Sequence, residues 1–335
     1  MRILKAGTPL PLLLCFTAMV AMLCAGCSGD AQDDAYTAVL AWGKEGARKG
    51  RFNRPRTVAV SAEGSVYVAD MTGRIQYFSR KGKLLGGWRM PDYSNGNARR
   101  IRFLRDGTLC VADTHNHRIC FFDKSGKLLS HFGEHGAAPG KFLMVSAVAE
   151  GPDGTIYTTE YGTTPTQRAD PIDRIQKFTR DGKWLGAWGR TGSGPGELSR
   201  PSGIDIDNNG LVYVADAINH RIQVFTSDGR YVRAFGRHGE KPGELNHPFD
   251  LCIGPSGNLF VIEFGNARMQ ELTTDGKPVA VFGTHGPDLG EFYQPWGITV
   301  TSDGSIFVTD TWNHRIQVLK PSAVSSQQSA NKAGS

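Results

Sequence analysis

Short runs rich in Val, Ile, Tyr and Phe alternate with breaks of Gly, Asn and Asp along most of the chain. One stretch shows the unit clearly. "SGIDID" (Ser202–Asp207) is followed by "NNG", then "LVYVAD" (Leu211–Asp216), "RIQVF" (Arg221–Phe225), "SDG" and "YVRAFG" (Tyr231–Gly236). β-branched and aromatic residues suit a pleated, half-buried surface, and Gly with Asn or Asp suits tight hairpin turns. The pattern predicts four antiparallel strands. Beyond the first 26 residues no stretch sustains a helical period.

The unit recurs. Its second strand ends in an acid at Asp70, Asp113, Glu160, Asp216, Glu263 and Asp310, with steps of 43, 47, 56, 47 and 47 residues. An arginine follows each acid: Arg74, Arg118, Arg174, Arg221, Arg268 and Arg315. The long step holds one insertion, "YGTTPTQRADPID", from Tyr161 to Asp173. Self-similarity at this period, with four strands per unit, predicts an all-β fold: a six-bladed β-propeller of four-stranded antiparallel blades. Fourth strands end in an aromatic at Trp88, Phe132, Trp188, Phe235 and Phe282. The last repeat lacks one, and "AVLAWG" (Ala38–Gly43) stands unpaired before the first repeat. The N-terminal strand is therefore expected to complete the last blade and cover its open edge. The propeller is expected over residues 38–320, with a disordered tail at 321–335.

Residues 1–26 read as a targeting segment: Arg2 and Lys5, an apolar stretch from Leu10 to Leu23, then "LCAGC". This resembles a bacterial lipoprotein signal, in which Cys27 would be acylated, although Cys24 stands where leucine is usual. An ordinary signal peptide cleaved nearby is the other reading. Residues 27–37 read as a polar tether. The expected setting is exported and membrane-anchored, on the periplasmic or cell-surface side. Removing the segment lowers the formal charge from +6 to +4. That is too weak to argue for nucleic acid, whose binders concentrate Lys and Arg on one face. Cys110, Cys120 and Cys252 then remain besides Cys27, so no disulfide framework is expected. Cys110 and Cys120 flank one hairpin, either as a cross-strand pair or as small buried hydrophobes.

The recurring "ADxxNHRIQVF", with "GEL", a proline and "GI" upstream, resembles the NHL-repeat β-propellers over residues 38–320. That resemblance implies the fold. It leaves function open, because such propellers include enzymes, RNA binders and protein-binding modules. It also invites comparison with peptidyl-hydroxyglycine amidating lyases, which hold zinc through inner-strand histidines. Here only His247 comes close to such a position. Gluconolactonase-type propellers hold a divalent ion through acids near the axis, for which Glu150, Asp205, Asp250 and Glu263 are the candidates. No Ser/Cys-His pairing, P-loop or dinucleotide fingerprint suggests other chemistry.

Strand alternation puts the Asn-His-Arg hairpins on the same face as the long links between blades, a face suited to binding. His117, His220 and His314 lie at least one strand spacing, ~4.8 Å, outside the inner strands, too far apart for one zinc ion. The acid and arginine of each blade are expected to pair around the hairpins. Function is expected where the repeats differ, at the starts of the inner strands. There blades one and two offer Arg56, Arg99, Arg100 and Arg102, and blades five and six offer Phe249, Asp250 and Trp296, with Phe264, Tyr293 and Trp312 nearby. A mouth with one basic and one aromatic wall would bind an anionic or amphipathic ligand: a protein, peptide or carbohydrate. No cofactor is predicted. Zinc or calcium belongs to the alternative, a lyase or lactonase working in the channel.

Overall fold

The computed structural model describes residues 35–93, 98–162 and 172–322. The targeting segment, Cys27, most of the tether, the middle of the insertion and the tail from residue 323 lie outside these. Six four-stranded antiparallel sheets form the blades of a β-propeller. Blade four consists of Pro201–Ile206, Val212–Asp216, Arg221–Phe225 and Tyr231–Phe235, from the axis outward. The inner strands of successive blades lie side by side, and that of blade six returns against Pro55–Val60 of blade one.

The ring closes as the hydrophobic pattern requires. Tyr36–Trp42 forms the outer strand of blade six, paired with Arg315–Pro321. This strand starts two residues before the expected Ala38, and its partner runs past Lys320. The Ser322 amide donates to the Ala35 carbonyl at 2.9 Å, so both ends of the propeller are one or two residues longer than the sequence pattern suggests.

The blades are clipped together by the outer-strand aromatics. Those of blades one to four and six sit over the glycine of the next blade's outer turn. A Cβ on Gly229 (φ +91°) would lie 2.7 Å from the Trp188 indole, and one on Gly82 (φ +80°) would lie 2.5 Å from Trp42. Both the close approach and the left-handed backbone demand glycine. Trp42, from the N-terminal strand, thereby joins blade six to blade one, against Phe52 and Phe78. The core lies between blades, with Phe78, Phe122, Phe178 and Phe225 almost fully buried.

Cys110 and Cys120 are free and buried. Val111, not Cys110, is the register partner of Cys120, so the two thiols point to opposite faces of the blade and enter different core clusters. The cross-strand pair is thus excluded, and both serve as small hydrophobes.

Candidate ligand site at the channel mouth

The repeated hairpins are a scaffold device. All six acid–arginine pairs form, at 2.5–2.9 Å, with every acid essentially unexposed. In blade four, Asp216 accepts from Asn219 Nδ2, Arg221 Nε and Gln223 Nε2 at 2.8–3.0 Å. Arg221 then donates to the carbonyls of Ser193, Gly194 and Glu197 in the link that enters the blade. The histidine reaches the other way. His220 adopts the left-handed conformation (φ 54°), and its Nδ1 accepts from the His247 amide of the next blade at 3.1 Å. His117 and His314 share that φ and likewise bond the following link through Nδ1. Each Asp-Asn-His-Arg turn therefore ties its blade to the links on both sides.

Gln223 carries a role that its recurrence alone does not reveal. Its Oε1 accepts from the Gly196 amide while its Nε2 donates to the Glu197 carbonyl, and Gln76, Gln176, Gln270 and Gln317 repeat this in their blades. Blade two has Cys120 there.

The mouth is built differently. In blades one to five the pairing register slips at one residue near the start of the inner strand. The residues left unpaired are Arg56, Arg99, Ser146, Ser202 and Phe249. A bulge of this kind turns its side chain out of the sheet. Blade six places Trp296 equivalently, and these six side chains converge on the axis together with Arg100 and Asp250. Ser146 is tied to the next blade, donating to the Pro201 carbonyl at 2.6 Å.

Two of the expected wall arginines are held by acids. Arg100 crosses the channel to Asp250 and donates to the Leu251 carbonyl at 3.0 Å. Arg102 pairs with Asp205 one layer deeper. Ring closure puts blade one beside blade six, so the basic and aromatic walls meet there. The Arg56 guanidinium lies 4.2 Å from the centre of the Trp296 ring, with Arg99 5.7 Å from it. Trp312 lies farther out, 37% exposed, under Arg54 at 3.9 Å.

An outer ring of residues escaped the sequence pattern. Arg54, Arg200, His247 and Gln294 each precede the inner-strand proline, with φ between 46° and 55°. A residue before proline is normally extended. The left-handed turn instead aims these side chains over the mouth. Arg200 lies 5.4 Å from the Tyr161 ring and 5.7 Å from that of Phe249.

Arg56 is the unusual group. It is 9% exposed, and its Nε and Nη1 have no hydrogen-bond partner. Arg54, Arg56, Arg99 and Arg200 form no ion pair among the described residues. Burial first, then the charges of Arg99, Arg200 and Arg54, pushes the Arg56 pKa down to about 10. His115 is held below the usual imidazole range by burial and then by Arg99 and Arg56. Four arginines without an acidic partner make the mouth electropositive.

The acids that a channel-borne divalent ion would need are committed. Asp250 accepts from the Leu251 and Ile298 amides besides Arg100, and Asp205 from the Ile206 and Ile253 amides besides Arg102. Glu263 holds Arg268 and Glu150 accepts the Arg105 amide. This donor set does not fit an axial ion.

Residues 198–225 and 292–319 match the NHL repeat model. The chain is a six-bladed β-propeller carrying NHL repeats. Over 109 residues, 32% of its length, it is 33% identical to the Protein brain tumor of Drosophila melanogaster, of which the match spans 9%. Among solved structures it resembles virginiamycin B lyase from Staphylococcus aureus (TM-score 0.55, 17% identity, 80% of each chain). It also resembles a gluconolactonase candidate (TM-score 0.61, 14% identity, 86% of this chain and 94% of that one). At these identities the likeness is one of fold.

Proposed function

We propose that this chain is an exported, lipid-anchored binding module that presents the mouth face of its propeller to a ligand or protein. The carrying observation is the contrast between two sets of residues. The hairpin clamps repeat in every blade, whereas the bulge positions and Trp296 bring side chains of four kinds to one point, with arginines that lack an acidic partner beside buried Phe249 and half-buried Trp296. Scaffold residues repeat because every blade has the same joint to make. Residues at a mouth differ because a ligand has no sixfold symmetry.

The lyase and lactonase names of the structural neighbours prompt the alternative of chemistry in the channel. Against it stand the Arg100–Asp250 and Arg102–Asp205 pairs, which span the channel and use its acids. Export and anchoring rest on the "LCAGC" segment.

The test is a ligand screen by thermal shift on the wild-type chain and on Arg99→Ala combined with Trp296→Ala. Ligands that stabilise the wild type should lose at least about tenfold in affinity in the variant, about 1.4 kcal/mol. Ligands that bind both equally would refute the mouth as the site. In cells, Cys27→Ser should release the chain from the membrane fraction. Retention there would refute the lipid anchor.

A further inference from the structure

The mouth has two parts of different size. On the axis, the space ringed by Arg56, Arg99 and Trp296 is only about 20 Å³, floored by the Arg100–Asp250 pair. That is room for about one water molecule. Beside it, over blades one, four, five and six, lies a groove of about 380 Å³. Its size is that of a small-molecule site.

The groove has a charged end and an apolar wall. Arg56 and Arg200 stand at the charged end, and the Nε of each has no hydrogen-bond partner. Phe249 and Phe264 stack at 4.6 Å with an interplanar angle of 26°, and Trp296 lies 5.3 Å from Phe249. Stacking holds the Arg56 plane fixed over Trp296 and leaves donors at its edge. A planar guanidinium with free edge donors matches the oxygens of a carboxylate or phosphoryl group. Burying guanidinium donors without hydrogen bonds is costly, and an oxyanion would recover that cost. The stacked rings suit a flat apolar body.

We propose that this groove takes a small amphipathic oxyanion, a carboxylate or phosphoryl group on a flat apolar body. The oxyanion would sit on Arg56 and Arg200, and the body against Phe249, Phe264 and Trp296. This rests on the reading of the mouth as a binding site and narrows it to one ligand class.

The experiment is calorimetric titration of the full chain, in a non-ionic detergent, with four probes: benzoate, phenyl phosphate, benzyl alcohol and inorganic phosphate. At least one aryl anion should bind at least about tenfold tighter than both the neutral aryl alcohol and inorganic phosphate. Arg56→Met should abolish this binding with the melting temperature preserved. Should Arg56→Met fail to fold, Arg200→Gln serves, since its side chain lies at the rim. The stronger of the two aryl anions separates carboxylate from phosphoryl ligands. Equal binding of benzyl alcohol, or of inorganic phosphate, would overturn the proposal, because one half of the site would then be unused. No binding of either aryl anion at millimolar concentration would also overturn it. The broader reading fails separately, if ligands from the thermal-shift screen bind the Arg99→Ala, Trp296→Ala variant unchanged.

Discussion

Asp216 has no exposed surface and accepts four hydrogen bonds, from the Ser199 amide and the side chains of Asn219, Arg221 and Gln223. Asp216→Ala leaves all four donors without their acceptor in a buried place. Breaking one side of such a pair costs about 3–5 kcal/mol. The Arg80–Asp303 pair has side chains 41% and 50% exposed, and Asp303→Ala should cost less than about 1 kcal/mol. Denaturant titration of both variants checks the ranking. Equal losses would show that the hairpin clamp is not a stabilising device. The acid and the arginine were legible in the sequence because they recur in every blade. The role of Gln223 was not, since it depends on a link loop that folds back over the strand. Arg54 and Arg200 were hidden for a different reason. Local rules make a pre-proline residue extended, and only the tertiary turn forces them left-handed.

At the scale of the element, the histidines of two hairpins and of the link at His247 carry a pH dependence. Burial foremost holds His117, His220 and His247 below the usual imidazole range; for His220 the neighbouring His247 and His238 add to this. The unfolded chain, with imidazoles near ~6.5, then binds more protons than the folded one below that pH. Their contribution to stability is therefore present above pH ~6.5 and lost as pH falls. Buried Glu160, Asp216 and Glu263, raised by burial, act in the opposite sense. The histidine share is thus read from a difference: between pH 7.5 and 5.5 the melting temperature of His220→Asn should fall less than that of the wild type. Parallel curves would contradict it. The N-terminal strand was legible from a missing aromatic at one end of the repeats and a spare one at the other. Deleting Ala38–Gly46 removes Trp42 from between blades six and one. It should lower the melting temperature of the whole domain by about 5 °C, on the order of 3 kcal/mol. An unchanged transition would contradict the ring closure.

At the scale of the whole molecule, the fold was readable because a propeller is one unit repeated, and self-similarity shows in a single chain. The mouth was readable only in part. The five bulge positions and Trp296 were legible because these are where the copies diverge. Aligning the repeats could not show which wall residues touch, so the stacking of Arg56 on Trp296 was not legible. Nor could it pair Arg100 with Asp250, which come from different blades 150 residues apart. The resulting picture has two classes of arginine. Those of the hairpins are saturated by acids and carbonyls, while those of the mouth stack on rings with open donors.

That division can be measured directly through the arginine Nε–H resonances of the labelled chain, titrated with inorganic phosphate as a small oxyanion probe. Arg56 and Arg200, which line the groove and whose Nε atoms have no partner, should shift, while Arg118, Arg174, Arg221, Arg268 and Arg315, whose Nε atoms donate to acids, should not. Shifts spread evenly over both classes, or confined to the hairpins, would contradict the account of the mouth as the working site.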